Sequence, residues 1–137
     1  MKKIVCMLMV IICLFSFAFA EDFKGTTVRF FLNDGGKIIA YEGEGHSGYA
    51  SAGYDIVCAG ISALTQTTLM GLVNVLGLPV DYTIGETGGY ISVALADNAT
   101  DEQVEQAQVL MLTLCEGLNS IAYSYPGNLQ IIFEDEI

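Results

Sequence analysis

An apolar stripe in the second half of the chain is the feature that most constrains its fold. Apolar residues recur there at alternating spacings of three and four, which is the period of an α-helix with one buried face. The stripe consists of Val104, Ala107, Met111, Leu114, Leu118, Ile121 and Tyr125. Thr100 and Gln103 precede the stripe with the spacing of a capping box, which marks the start of the helix. A helix of this kind needs a second layer to cover its apolar face.

Shorter elements account for the rest of the domain. Asp55 is a suitable N-cap for an earlier helix, which ends at the stop signal formed by Gly77 and Pro79. The Asn-Asp-Gly-Gly sequence at 33–36 predicts a hairpin turn, because glycine adopts positive φ at little cost. Runs rich in β-branched and aromatic residues, together with Gly- and Pro-containing turns, predict five strands. These strands are predicted at 26–32, 37–44, 80–86, 90–95 and 128–133.

The predicted order of the elements is therefore ββαββαβ. The first two strands and the next two strands form hairpins, which makes the sheet mostly antiparallel. Both helices must bury an apolar face, and packing them on one side of a single sheet is the simplest arrangement that does so. We predict an α+β fold with a mostly antiparallel sheet and two helices packed on one face.

The first twenty residues differ in composition from the rest. Two lysines precede an almost wholly apolar run at 4–20, which ends in the Ala-Phe-Ala pattern of a cleavage site. These are the features of a secretory signal peptide. The length of the run is also at the lower limit for a membrane anchor, and a true start nearer Thr26 is a further alternative. We predict a signal-like segment, or a mis-assigned start, at 1–20 and one domain at 21–137.

The domain has a strong excess of acidic residues. A chain that begins at Glu21 carries three basic and sixteen acidic residues, a formal charge of −13. Such a surface repels phosphate backbones, which argues against nucleic-acid binding. It attracts a basic partner and accelerates the encounter with it, although solubility alone is an alternative explanation for the charge.

The chain has few residues suited to metal binding or disulfide formation. Outside the signal-like segment the cysteines are Cys58 and Cys115, and His46 is the single histidine. Two cysteines do not form a disulfide framework, and no C-x-x-C pair or Cys/His cluster indicates a metal site. We therefore expect no metal and no other cofactor. Cys115 lies beside the apolar stripe, which predicts that it belongs to the core.

Cys58 and His46 are the residues best suited to catalysis. Cys58 is about the third residue of the first predicted helix, where free backbone amides and the helix dipole stabilise a thiolate. The same amides are available to the oxyanion of a tetrahedral intermediate. An imidazole within reach completes the requirements of an acyl-transfer nucleophile, and His46 lies in a Gly-rich loop at 45–54. The residues alone leave open the alternatives of a small core cysteine and a solvated loop histidine.

Three short motifs in this region together resemble the signature of the ribosomal-processing cysteine protease (Prp) family. The motifs are Gly45-His46-Ser47-Gly48-Tyr49-Ala50, Asp55-Ile56-Val57-Cys58-Ala59 and Ser62-Ala63-Leu64. The step of twelve residues from His46 to Cys58 is similar to that of the family's catalytic pair, and the resemblance covers about residues 26–134. It implies a cysteine endoprotease that removes an N-terminal extension from a large-subunit ribosomal protein. In this function Cys58 is the nucleophile and His46 is the general base and acid.

The resemblance also implies supporting residues and partners. Asp55 matches the family's acidic position before the cysteine, where it either orients His46 or only caps the helix. Ser62 matches as well, and either supports the site or is a small residue in helix packing. The expected partners are a basic ribosomal-protein extension as the substrate and a second copy in a homodimer, and the expected location is the cytoplasm. Tyr49 and Tyr54 lie close to the pair in sequence, and we predict that they line a pocket for apolar substrate residues.

The signal-like segment leaves two other functions open. An exported relative would be a non-catalytic binding module if Cys58 were lost to over-oxidation or to a disulfide with Cys115. A thiol-based sensor would use Cys58 as its reactive residue and Cys115 as its resolving residue.

Overall fold

The computed structural model describes residues 23–135, and the signal-like segment predicted at 1–20 lies outside this range. The described chain has the order ββαββαβ, which confirms the predicted α+β fold. The strands are β1 (Thr26–Leu32), β2 (Ile38–Glu44), β3 (Val80–Ile84), β4 (Tyr90–Leu95) and β5 (Leu129–Asp135). The helices are α1 (Ile56–Met70), which continues into a π-helical segment at Gly71–Val75, and α2 (Asp101–Ser124).

The strands form one sheet in the order β3-β4-β2-β1-β5. All neighbouring strands are antiparallel except β1 and β5, which are parallel. The predicted hairpin turn joins β1 to β2, where Asn33 Oδ1 accepts hydrogen bonds from the N–H groups of Gly35 and Lys37. The turn between β3 and β4 begins at Gly85, whose N–H donates to the Tyr90 carbonyl at 3.0 Å. Strand β3 therefore ends two residues before the predicted position.

A single core lies between the sheet and both helices. Its largest fully buried side chains include Phe30, Tyr41, Leu72, Met111, Leu114 and Leu118. The Tyr41 hydroxyl donates to the Thr65 carbonyl at 2.7 Å and so joins the centre of the sheet to α1. Within residues 23–135 the continuous helix Ile56–Val75 is long and apolar enough to cross a membrane, but in this fold its buried residues belong to the core.

Both helix starts have the predicted caps. Asp55 accepts a hydrogen bond from the N–H of Cys58 at the start of α1, and Thr100 forms a capping box with Gln103 at the start of α2. The two helices approach closely at Gly117, where an added Cβ would lie 3.0 Å from Leu64 Cδ1. Glycine lowers helix stability by about 1 kcal/mol relative to alanine, but here it makes room for the neighbouring helix.

Candidate active site

A cleft of about 210 Å³ lies between α1 and the β3–β4 hairpin. The α1 side of the cleft is formed by Cys58, Ile61, Ser62, Thr65 and Gln66, and the hairpin side by Ile84, Gly88, Gly89, Tyr90 and Ile91. His46 also lines the cleft. The fold therefore brings the two residues predicted for catalysis, His46 and Cys58, into the same cleft.

Cys58 is the third residue of α1, and its side chain is partly exposed. The N–H of Ser47 donates to Cys58 Sγ at 3.2 Å, and such a contact stabilises negative charge on the sulfur. The amide of Cys58 itself is not free for an oxyanion, in contrast to the expectation for the first turn of a helix. It donates to Asp55 Oδ1 at 2.8 Å, because the N-cap takes this position.

The Asp55 carboxylate connects the loop that follows His46 to the start of α1. It accepts the Ser47 hydroxyl at 2.7 Å, the N–H of Tyr49 at 3.1 Å and the N–H of Ala50 at 3.2 Å. These bonds are made in addition to the cap of α1. Since its described partners belong to the loop and the helix, the geometry favours a structural role for Asp55 over direct orientation of the His46 ring.

The same contacts determine the charge state of Asp55. Partial burial acts to raise the pKa of this carboxyl, but the hydrogen bonds from Cys58, Ser47 and Ala50 together outweigh that effect and lower the pKa to about 2. Asp55 is therefore ionised at all pH values near neutrality, and the loop is held by a charged acceptor.

His46 lies between two anchored backbone positions. The N–H of Gly45 donates to the Gly89 carbonyl at 2.8 Å, which joins the histidine loop to the β3–β4 hairpin. On the other side of His46, the Asn128 side-chain amide donates to the Ser47 carbonyl at 2.9 Å from the start of β5. The His46 side chain is exposed, and its backbone is fixed by elements that are distant in sequence.

The other predicted site residues lie in different places. Ser62 lines the cleft one turn after Cys58. The Tyr49 ring packs edge-on against Tyr125, with ring centroids 5.2 Å apart, and Tyr54 is 80% exposed. The cleft lining is formed by other residues, so a role of either tyrosine in binding substrate would lie outside the cleft.

The second cysteine is in a different environment. Cys58 and Cys115 are both free thiols in the described chain, and Cys115 is buried in the core. Burial, assisted by the negative charge of Glu116, raises the pKa of the Cys115 thiol, although a hydrogen bond from Asn119 opposes the change. Among residues 23–135, no group of three or more His, Cys, Asp or Glu side chains is placed to hold a metal ion.

Three residues of this site were not singled out from the sequence. Ser47 stands inside the motif around His46, and its position next to the histidine was a usable signal. Gly89 was visible only as part of a Gly-Gly turn, and Asn128 only as the residue after a Pro-Gly turn. Their roles depend on which segments meet in space, and local sequence does not reveal this.

The fold and the thiol–imidazole cleft define this protein as a cysteine-type peptidase. The chain belongs to the cysteine protease Prp family, since the model of that family, described as "Cysteine protease Prp", matches residues 26–130. This assignment confirms the resemblance noted in the motifs around His46 and Cys58.

Individual relatives agree with the family assignment. The ribosomal processing cysteine protease Prp of Bacillus subtilis (strain 168) is 30% identical over 94 residues, which are 69% of this chain and 84% of the relative. The protein of the same name from Staphylococcus aureus (strain Mu50) is 28% identical over 108 residues, 79% of this chain and 98% of the relative.

Solved structures show the same fold. The S. aureus ribosomal processing protease Prp with a covalently linked product peptide superposes with a TM-score of 0.71 at 28% identity, covering 80% of this chain and 99% of that one. The same enzyme with a substrate peptide gives a TM-score of 0.66 at 25% identity, with the same coverage. Both of these structures contain a peptide ligand.

Proposed function

We propose that this chain is an endopeptidase that removes the N-terminal extension of a large-subunit ribosomal protein in the cytoplasm. The observation that carries the proposal is the cleft that contains both His46 and Cys58, with the Ser47 N–H directed at the sulfur. The names of the relatives, which are ribosomal processing proteases, support the choice of substrate.

In the proposed mechanism, His46 takes the proton of the Cys58 thiol and the thiolate attacks the carbonyl carbon of the scissile bond. A tetrahedral intermediate forms, and His46 then gives its proton to the leaving amine, which releases the C-terminal product. Water attacks the resulting thioester with His46 again as the base, and the N-terminal product leaves as a carboxylic acid.

The backbone of the loop around His46 supplies a hydrogen-bond donor for the proposed mechanism. The Ser47 N–H donates to the sulfur in the resting enzyme. Once the sulfur is bonded to carbon, this amide is available to the negatively charged oxygen of the tetrahedral intermediate. Asp55 keeps Ser47 in place through its contact with the serine hydroxyl, and Ser62 supports the site from the next turn of α1.

Apolar substrate residues have several surfaces to contact. Ile61, Ile84 and Tyr90 supply apolar surface inside the cleft. Outside it, Tyr49 and Tyr54 are exposed and follow His46 in the same loop, so they are proposed to contact residues further from the scissile bond.

The assignment is tested with Cys58→Ala and His46→Ala, which are each expected to abolish cleavage of a peptide that contains the extension. The control is Cys115→Ala, which changes the other thiol outside the cleft and is expected to keep most of the activity. Circular dichroism of each variant checks the fold. Activity in Cys58→Ala would refute the assignment of the nucleophile.

Asp55→Asn is expected to lose less activity than Cys58→Ala or His46→Ala, because Asn still caps a helix.

A homodimer is the proposed assembly, and an apolar groove between α2 and the end of α1 supports it. The groove has a volume of about 620 Å³ and is lined in part by Val75 and Val109, which are 80% and 71% exposed. Exposed apolar patches of this kind mark interaction surfaces. In sedimentation velocity, Val109→Glu is expected to sediment as a monomer. The control is Tyr123→Glu, which changes an exposed residue of the same helix outside the groove and is expected to remain a dimer. A monomeric wild-type chain would contradict the proposal.

One domain at 21–137 is proposed to carry the activity, whether the segment at 1–20 is a signal peptide or a mis-assigned start. The signal-like segment at 1–20 makes an exported chain the alternative to a cytoplasmic one. Mass spectrometry of the N-terminal peptide from cells decides between them, since removal of the segment after Ala20 would contradict a cytoplasmic location.

A further inference from the structure

Two adjacent glycines in the β3–β4 turn have nearly the same backbone conformation but different surroundings. Gly88 has φ +75° and Gly89 has φ +74°, in the left-handed region that side-chain-bearing residues rarely adopt. A Cβ added at Gly88 would have no neighbour within 4 Å. A Cβ added at Gly89 would lie 2.9 Å from His46 Nε2 and 3.0 Å from His46 Cε1. The His46 ring therefore rests directly on the backbone of Gly89.

Gly89 contacts the histidine loop a second time through its carbonyl group. This carbonyl accepts the N–H of Gly45, the residue immediately before His46, at 2.8 Å. One residue of the hairpin thus holds both the backbone that leads into His46 and the edge of its ring. The side chain of His46 is otherwise exposed, so it can move away from an added methyl group without disturbing the core.

We propose that Gly89 is a positioning residue for His46: its missing side chain and its carbonyl group together set where the imidazole stands relative to the Cys58 sulfur. This proposal rests on the proposed function of His46 as the general base. It means that the β3–β4 hairpin, which supplies one wall of the cleft, also places a catalytic group.

The test compares Gly89→Ala with Gly88→Ala. Both variants force an alanine into the left-handed region, and both glycines line the cleft, so the backbone strain is matched. Only Gly89→Ala puts a methyl group against His46. Similar thermal unfolding midpoints are expected for the two variants. We expect kcat to fall on the order of 100-fold further in Gly89→Ala, since misplacement of a catalytic group by about 1 Å has effects of that size.

His46 provides a direct spectroscopic readout because it is the single histidine of the chain. The ring C–H signals in a proton NMR spectrum are therefore assigned without further labelling. In Gly89→Ala these signals are expected to shift, while in Gly88→Ala they stay close to their wild-type positions. In the wild-type protein, nuclear Overhauser effects are expected between the His46 ring protons and the Gly89 Hα protons. This last measurement does not depend on any variant folding.

Equal kcat in the two glycine variants, or an unchanged His46 signal in Gly89→Ala, would overturn the proposal. So would the lack of an Overhauser effect in the wild-type protein. A fully active His46→Ala variant would instead refute the proposed function, and the NMR measurements would still report whether Gly89 places the ring. The two failures are thus distinguishable.

Discussion

At the scale of single residues, the Asp55 carboxylate couples the stability of the site to pH. Its pKa of about 2 in the folded chain is below the usual value of about 3.9 for the unfolded chain. A carboxyl with a lowered pKa contributes stability that is complete above the unfolded value and is lost as the pH falls through the folded one. The contribution of Asp55 is therefore complete above about pH 4 and disappears towards pH 2.

We expect Asp55→Asn to reduce the acid sensitivity of the fold. The variant should lose less stability than the wild type between pH 4 and pH 2, because its side chain does not titrate. Guanidinium unfolding midpoints measured at a series of pH values in this window make the comparison. Parallel curves for the two proteins would show that the hydrogen bonds to Asp55 do not lower its pKa.

The two cysteines provide a second prediction at this scale. Cys58 is partly exposed in the cleft and receives the Ser47 N–H, whereas Cys115 is buried and burial raises the pKa of its thiol. Since the thiolate is the reactive form, iodoacetamide is expected to label Cys58 much faster than Cys115 at neutral pH. Peptide mass spectrometry over a time course gives both rates. Faster labelling of Cys115 would remove the case for an activated thiol at Cys58.

At the scale of secondary-structure elements, a buried glutamine joins α2 to the end of the β1–β2 hairpin. Gln108 accepts the N–H of Ile38 and donates to the Ile38 carbonyl, both at 3.0 Å. Gln108→Leu would leave both backbone groups buried without a partner, at a cost of about 1–3 kcal/mol for such a group. Ser120→Leu, at an exposed position of the same helix outside the groove, is the control and is expected to change stability little. Urea unfolding measures both, and equal midpoints would contradict this role of Gln108.

Elements could be predicted from the sequence where their signals are local. The cap at Asp55, the capping box at Thr100 and the turn after Asn33 each involve residues within a few positions of one another, and all three were predicted. Gln108 was not predicted as a core residue, because its polar side chain is satisfied by a strand far away in the chain. The parallel pairing of β1 with β5 was also missed for this reason.

The candidate site likewise has features that the sequence predicts and features that only the tertiary structure shows. His46 and Cys58 belong to one short stretch, and the helix start just before Cys58 has a local signal at Asp55, so the sequence predicted both the pair and the helix start. The contacts of Asp55 with the loop, the support of His46 by Gly89 and the anchor from Asn128 depend on tertiary structure. Sequence patterns do not show which hairpin or strand end will meet a given loop.

At the scale of the whole molecule, the charge of the surface is the dominant property. Arg29 lies 3.5–3.7 Å from three carboxylates, those of Glu42, Glu44 and Glu134, and Lys37 pairs with a carboxylate of α2. These basic groups are therefore surrounded by negative charge, and the net field seen by an approaching peptide is strongly negative.

A basic substrate is consequently expected to bind with a marked salt dependence. The kcat/KM for an extension peptide that contains Lys and Arg should fall as salt is raised, since the Debye length is about 8 Å at physiological ionic strength. An analogue with Gln in place of these residues, and the same residues at the scissile bond, should respond little. Steady-state kinetics over a salt series test this expectation. Equal responses of the two peptides would leave solubility as the explanation of the acidic surface.

The anchor from Asn128 to Ser47 has a consequence for the moment at which the enzyme becomes active. The two residues are 81 positions apart, and Asn128 directly precedes the last strand of the sheet. A chain grows from its N-terminus, so His46 and Cys58 are synthesised long before the strand that completes the sheet beside β1. Chains stalled before residue 128 are expected to expose a reactive Cys58 without hydrolysing the peptide, which a comparison of alkylation and cleavage would reveal. Proteolytic activity would then begin only after the strand that pairs with β1 in parallel has been synthesised.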